Sequence, residues 1–286
     1  MKSVALACIG GGIKACINIG VIRALEDLGI KIEAISGSSL GSVIAVLYAC
    51  GYDTNEIIKI FENDIFKLQK FSLLNKICSV PNLFIKGGAV NPKKLLYYMK
   101  KFERDNNIHL MNEIKIPLII PALDLSSREI VYYTSKPLKS DITQYCDRNI
   151  SEAVRSSSAL PLLFTPYKVV IDNVNHFMLD GGILTNTLVL PLKEFSNFII
   201  GTSVKFYPKQ RSRINLFTGF TQTFQSMRRQ YLCNERKNSD LWIEIDLGSN
   251  RFIGKKEEIK QYAELGYKET IKKLKSFSES EGNLYV

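Results

Sequence analysis

Histidine is nearly missing from this chain, which in 286 residues has only His109 and His176. That scarcity removes the usual neutral-pH general base and the commonest metal ligand from most of the sequence. Cysteine is not rare, but Cys8, Cys16, Cys50, Cys78, Cys146 and Cys233 include no C-x-x-C pair. Zinc-type spacing and a thioredoxin-like redox motif are thereby excluded, and the six are read as buried free thiols in a reducing compartment. Long apolar runs are lacking too. The longest uncharged stretch, 34–52, opens with Ser36, Gly37, Ser38, Ser39, Gly41 and Ser42. Only 43–50 is strongly apolar, which is too short to span a bilayer and reads as a buried helix. No repeat, low-complexity tract or linker interrupts the chain, so one domain over 1–286 is expected, with a motif-bearing core at about 3–205 and a basic helical part at about 206–286.

What is present is ordinary globular composition, with 45% hydrophobic and 23% charged residues. Disorder and a disulfide-stapled mini-protein are excluded on that ground. Lys and Arg number 38 against 28 Asp and Glu, a net charge of +10 that calls for an anionic partner. No nucleic-acid-binding motif accompanies it, so an anionic membrane surface is the expected partner and nucleic acid is not. Residues 205–286 hold 16 basic and 10 acidic side chains, a difference of +6. Within them Lys205, Lys209, Arg211 and Arg213 surround Phe206 and Tyr207 in a loop suited to peripheral lipid contact. Phe217, Phe220, Phe224, Met227 and Tyr231 recur at helical spacing and read as a core-facing stripe. The opening apolar run before Gly10 is too short for a signal peptide and is read as a first strand, so a cytoplasmic placement is expected, with peripheral membrane contact.

The pattern along the chain predicts a β-α-β-α opening. Residues 3–9 form a strand, Gly10-Gly11-Gly12 a turn, and apolar residues from Ile13 to Leu28 recur at helical spacing. Gly29 caps that helix, residues 30–36 alternate as a second strand, and a second buried helix follows. Residues 53–115 are read as helices flanking the sheet. Strands are expected at 117–123, 129–134, 197–204 and 241–247, a hairpin at 168–171 and 176–179 around Asp172-Asn173, and a closing basic helix at about 255–277. Alternation of this kind favours an α/β fold with parallel strands.

Three short motifs carry chemistry. Gly37-Ser38-Ser39-Leu40-Gly41 fits Gly-x-Ser-x-Gly between a predicted strand and a predicted helix, the setting that presents a serine above a sheet. Ser39 then needs a base. A serine–acid–histidine order is not available, because no histidine follows Asp180, and both histidines read as ordinary strand or surface residues. Asp180, in Leu179-Asp180-Gly181-Gly182, ends a predicted strand before two glycines and is able to accept the hydroxyl proton directly. Gly10-Gly11-Gly12-Ile13-Lys14 offers unhindered amides at a helix start, suited to an oxyanion. The same stretch fits a relaxed dinucleotide fingerprint, Gly10-x-Gly12-x-x-Ala15. The acid that motif requires belongs at the end of the second strand, where Ser36 and Gly37 stand instead, with Glu33 earlier in it.

In this order and context the three motifs resemble those of the patatin-like phospholipases. Ile19-Gly20-Val21-Ile22-Arg23-Ala24-Leu25, Ser157-Ser158-Ala159-Leu160-Pro161 and Asn186 are similar to that family's stretches, and the resemblance covers roughly residues 3–205. It implies a three-layer α/β/α fold with a mostly parallel central sheet, and hydrolysis of lipid acyl esters with no metal or other cofactor. It also implies a Ser39–Asp180 dyad, an oxyanion hole at Gly10, Gly11, Gly12 and Ile13, and a supporting or anion-attracting role for Lys14. Ala15, Leu40 and Thr187-Leu188 depart from the family's usual residues. Leu40 either narrows the acyl pocket or packs against the sheet. The rival reading is a lipid- or protein-binding module that keeps the fold without turnover.

Overall fold

A computed structural model describes residues 2–67, 88–90, 93–185, 187–207, 216–248 and 254–280. The chain opens with β1 (Ser3–Cys8), a 3-10 turn (Gly12–Cys16), α1 (Ile17–Asp27), β2 (Lys31–Gly37) and α2 (Leu40–Ala49), as the alternating pattern predicts. α3 (Thr54–Ile60) starts on a capping box, in which Asp53 accepts the Asn55 and Glu56 N–H groups while the Glu56 carboxylate receives the Asp53 N–H. Then come β3 (Gly88–Val90), α4 (Lys93–Asn106), β4 (Leu118–Asp124), β5 (Glu129–Thr134), β6 (Gln144–Tyr145) and α5 (Ile150–Ser157). β7 (Leu162–Phe164), the hairpin of β8 (Tyr167–Ile171) and β9 (Val174–Asp180), β10 (Ile199–Val204), α6 (Leu216–Asn238), β11 (Leu241–Ile245) and α7 (Glu258–Ser280) complete the order.

The main sheet runs β11-β10-β1-β2-β4-β5-β6. β11, β10, β1, β2 and β4 are parallel to their neighbours, whereas β4 pairs antiparallel with both β5 and β9. The two faces of the sheet differ in side-chain size. Val4, Leu6, Cys8, Ile35, Leu118, Ile120 and Ile243 pack against α1, α2, α5 and α7, while Ala5, Ala7, Ala34, Ile119 and Ile199 meet Leu188, Val189 and Leu192 on the other side. Alternation along β1 and β2 thus sends bulky residues to one layer and alanines to the other. This is an α/β fold whose mixed, mostly parallel sheet is covered on both sides. β2 departs from simple alternation: from Ala34 onward every residue is buried, because a central strand with both faces covered has no solvent side.

Register explains how distant residues meet. β5 occupies one edge of β4 from Ile119 to Asp124, so β2 and β9 must share the other edge. Ser36 lies beside Ile119, and Asp180 beside Ala122. Because β2 is parallel and β9 antiparallel to β4, their C-terminal ends run toward each other, about 10 Å apart at these registers.

α7 lies along α1, joining the end of the described chain to its beginning. Arg23 donates to Glu264 at 2.8 Å and stacks over the Tyr267 ring at 4.3 Å. Closer in, any Cβ at Gly20 would strike the Ala263 carbonyl and any at Gly266 the Ile17 carbonyl. Both contacts are backbone to backbone, so no rotamer change relieves them. Gly20→Val is therefore expected to lower stability by at least about 1–3 kcal/mol and to raise amide exchange across α7, measured by urea unfolding and hydrogen exchange.

Candidate functional site

Ser39 sits at the junction of β2 and α2 with φ 51 and ψ −130, a conformation that costs a non-glycine residue and persists only where the surroundings impose it. The surroundings here are tight. A Cβ at Gly41 would come 2.5 Å from the Ile9 carbonyl oxygen, so the elbow is pressed against the exit of β1. Ser157, at the end of α5, accepts the Ser39 N–H at 3.1 Å. Two residues on, the Ala159 carbonyl accepts the Asp180 N–H at 3.0 Å. One short segment therefore holds both the serine and the aspartate.

Asp180 closes β9 and is 4% exposed. Its carboxylate receives the Gly182 N–H at 2.8 Å, and the nearby Ser39 hydroxyl favours its ionised form. Burial pushes its pKa up from 3.8 to about 7, against the Gly182 and Ser39 hydrogen bonds and the charge of Arg228, all of which favour the ionised form. A serine hydroxyl beside a buried carboxylate that burial pushes toward neutrality is placed to exchange its proton there.

The glycine loop lies at the exit of β1. Gly11 and Gly12 take φ values of 114 and 66, and Ile13 is buried in the core. Gly10 is buried before them, and Lys14 is partly buried, its pKa lowered to about 8 by burial and then by the positive charge of Arg228. Asn18, fully buried, donates from Nδ2 to the carbonyls of Ile9 (2.9 Å) and Ala15 (2.8 Å), which flank the loop. Thr202 on β10 accepts the Ile9 N–H at 2.9 Å and donates to Asn18 Oδ1 at 2.8 Å. The loop's shape is thus clamped by two side chains 184 positions apart.

The profile of the patatin-like phospholipase family matches residues 6–193. The chain belongs to that family. At family level this places it among lipid acyl hydrolases. The patatin-like chain is 27% identical over 232 residues to the uncharacterized protein YqhO of Bacillus subtilis (strain 168), covering 77% of this chain and 78% of that protein. It is 32% identical over 200 residues to the uncharacterized protein R571 of Acanthamoeba polyphaga mimivirus, covering 67% and 61%. Lysophospholipase NTE1 of Phaeosphaeria nodorum shares 50% identity over 52 residues, which is 18% of this chain and 3% of that much longer protein. Among solved structures, VipD from Legionella pneumophila aligns with a TM-score of 0.49 and 16% identity over 96% of this chain and 67% of that one.

Several expectations need correction in the patatin-like chain. Met227 and Tyr231 are each 42% exposed, so the aromatic stripe of α6 does not simply face the core; the side chains of Phe217, Phe220 and Phe224 lie outside the described residues. Periodicity marks residues that share a face but not what that face meets. The cysteines are unpaired where described, yet only Cys8 and Cys16 are buried; Cys50 and Cys146 are partly so, Cys233 is exposed, and Cys78 lies outside the described residues. Leu40 is 7% exposed and packs within the main core. His176 donates or accepts at 2.6 Å with the buried Asp124, four residues before Asp180 on β9 and about 13 Å away along the strand. His109 is exposed. Lys205 pairs with Asp246 at 3.5 Å, and Tyr207 bonds the same carboxylate. Lys209, Arg211, Arg213 and Asn186 lie outside the described residues. No helix among the described residues is long and apolar enough to cross a membrane.

Three residues of this region escaped the sequence reading. Asn18 is a lone polar side chain in an apolar helix face, which is a signal. Thr202 sits in a buried strand and Arg228 in the run Met227-Arg228-Arg229, where nothing marks either. The raised pKa of Asp180 has a consequence for stability. A folded carboxyl that ionises only near 7 binds more protons than the unfolded chain between about pH 4 and 7, so folding is weakened as pH rises through that window. Asp180→Asn removes the burden, and thermal unfolding should show the variant more stable than wild type at pH 8 by up to about 4 kcal/mol, with little difference at pH 4 or below.

Proposed function

We propose that this chain hydrolyses acyl esters of lipids through an acyl-enzyme, with Ser39 as nucleophile and Asp180 as its base. The observation that carries this reading is the convergence of the Ser39 elbow and the buried Asp180 on one short segment, where Ser157 accepts the Ser39 N–H at 3.1 Å and the Ala159 carbonyl accepts the Asp180 N–H at 3.0 Å. Ser39 Oγ attacks the ester carbonyl carbon as its proton passes to Asp180. The carbonyl oxygen becomes an oxyanion that the loop of Gly10, Gly11, Gly12 and Ile13 receives through backbone N–H groups, a role in which each donor is worth about 3–4 kcal/mol in related chemistry. Collapse expels the alcohol, which takes the proton back from Asp180. Water then attacks the acyl-serine with Asp180 again as base, releasing the fatty acid and restoring the hydroxyl. No histidine is needed, because burial has already lifted the carboxyl to the range in which such proton transfers run.

Lys14, beside the glycine loop, supports it or draws an anionic head group toward it. Net charge and the basic C-terminal part favour peripheral docking on an anionic membrane surface. Leu40, one of the departures behind the binding-module reading, packs within the main core.

Hydrolysis of p-nitrophenyl acyl esters and of phospholipid vesicles tests this reading directly. Ser39→Ala is expected to lose at least about 10³-fold in kcat, and a fluorophosphonate probe should label wild type at Ser39 alone. Equal, slow turnover by folded wild type and Ser39→Ala would sink the proposal. Activity of wild type is expected to rise with pH through a midpoint near 7, where Asp180 ionises.

A further inference from the structure

The catalytic reading leaves one group near Asp180 without a role. α6 packs on the turn Gly181–Ile183 that follows Asp180. Near its C-terminal end, Glu235 is buried and accepts the N–H groups of Val189 at 2.5 Å and Leu190 at 3.3 Å, which anchors the helix to the segment beyond that turn. Arg228 lies seven residues earlier, two helical turns, and therefore on the same inward face as Glu235. Between them Tyr231 lines an open groove together with Leu184, four residues past Asp180. The 228–231–235 side of α6 thus tracks the chain from Asp180 to Leu190. Its neighbour Arg229 is exposed, whereas Arg228 is partly buried.

From this placement we propose that Arg228 is a positioning residue for Asp180: its guanidinium, delivered by α6, holds the carboxylate charged and so keeps the base competent. The proposal rests on the Ser39–Asp180 reading for its catalytic meaning. Among the described residues, the other neighbours of the carboxylate are uncharged: the β2–α2 elbow brings Ser39, β4 brings Ala122, and the segment after α5 brings the Ala159 carbonyl to its N–H. Among the described residues Arg228 is the charged group that acts on Asp180, and the attraction is mutual, since Asp180 in turn favours the charged guanidinium. Lys14, on the glycine loop, also feels the positive charge of Arg228. Arg228 falls outside the 6–193 span matched by the family profile.

The test compares wild type, Arg228→Gln and Arg228→Lys on a neutral p-nitrophenyl ester from pH 5 to 9. A neutral substrate removes any contribution from head-group binding. Arg228→Gln is expected to move the rising limb of kcat/KM up by about one pH unit, about tenfold in rate at pH 6, and to converge on wild type at high pH. Arg228→Lys should restore the midpoint. A uniform drop with an unchanged midpoint would show a merely structural role and overturn the proposal, as would a defect confined to KM for anionic phospholipid vesicles.

A second measurement does not depend on activity. The gain in thermal stability of Asp180→Asn at pH 8 is compared in the wild-type and Arg228→Gln backgrounds. The gain is expected to be larger without the arginine, and equal gains would refute the coupling. If the coupling is found in a chain without Ser39-dependent turnover, the hydrolase reading fails and the electrostatic assignment stands.

Discussion

The site depends on a span of three residues after the body of α5. Ser157 accepts the backbone N–H of Ser39, and the Ala159 carbonyl accepts that of Asp180. Ser39 and Asp180 come from opposite halves of the matched chain, 141 positions apart in sequence number, and strand register leaves Ser36 and Asp180 about 10 Å apart on one edge of β4. The staple closes that gap in a defined orientation. It also helps Ser39 hold its positive φ: a hydrogen bond from its N–H to the fully buried Ser157 offsets part of a cost of about 1–3 kcal/mol. Short serine-rich sequence before Pro161 is thus part of the site's scaffold and not a solvent loop.

Much of this was legible because local sequence and local structure agree. A glycine-broken strand, an apolar helix, a second strand and a Gly-x-Ser-x-Gly elbow each have a signature within a few residues, and the β8–β9 hairpin announces itself through Asp172-Asn173, both found at positive φ. What stayed hidden requires contacts between distant segments. The antiparallel pairing of β9 with β4 has no sequence marker, although it decides where Asp180 goes. Thr202 looks like any strand threonine until Asn18 is folded against it. Arg228 was obscured from the other side: a basic residue among basic residues on an amphipathic helix reads as solvated surface, and only the anchor at Glu235 reveals which way the helix is turned.

The glycine loop shows a different kind of dependence. Backbone amides can face a developing negative charge only if the loop does not relax, since a donor that must reorient loses much of its value. Gly11 and Gly12 have the freedom to adopt their left-handed conformations but not the stiffness to keep them. Stiffness comes from Asn18, whose two donated bonds tie Ile9 to Ala15 across the loop, and from Thr202, which ties that asparagine to β10. Flexible residues are held by a buried polar network with its partners satisfied, the arrangement in which such a network rigidifies instead of destabilising.

A carboxylate serving as base in place of a histidine faces an electrostatic dilemma. In water its pKa near 4 makes it a weak acceptor, and deep burial alone would raise it until it stayed protonated at neutral pH. The structure sets two opposing influences against each other: burial raises Asp180, while the Gly182 amide, the Ser39 hydroxyl and the charge of Arg228 lower it, and the balance falls at about 7. The hydrogen bonds come from groups that the motif itself supplies. The charge comes from α6, on the far side of the sheet from α1 and α2 and beyond the family-matched span. On the proposed mechanism, the pH range of the base would shift with one cation on α6, leaving Ser39, Asp180 and the glycine loop untouched.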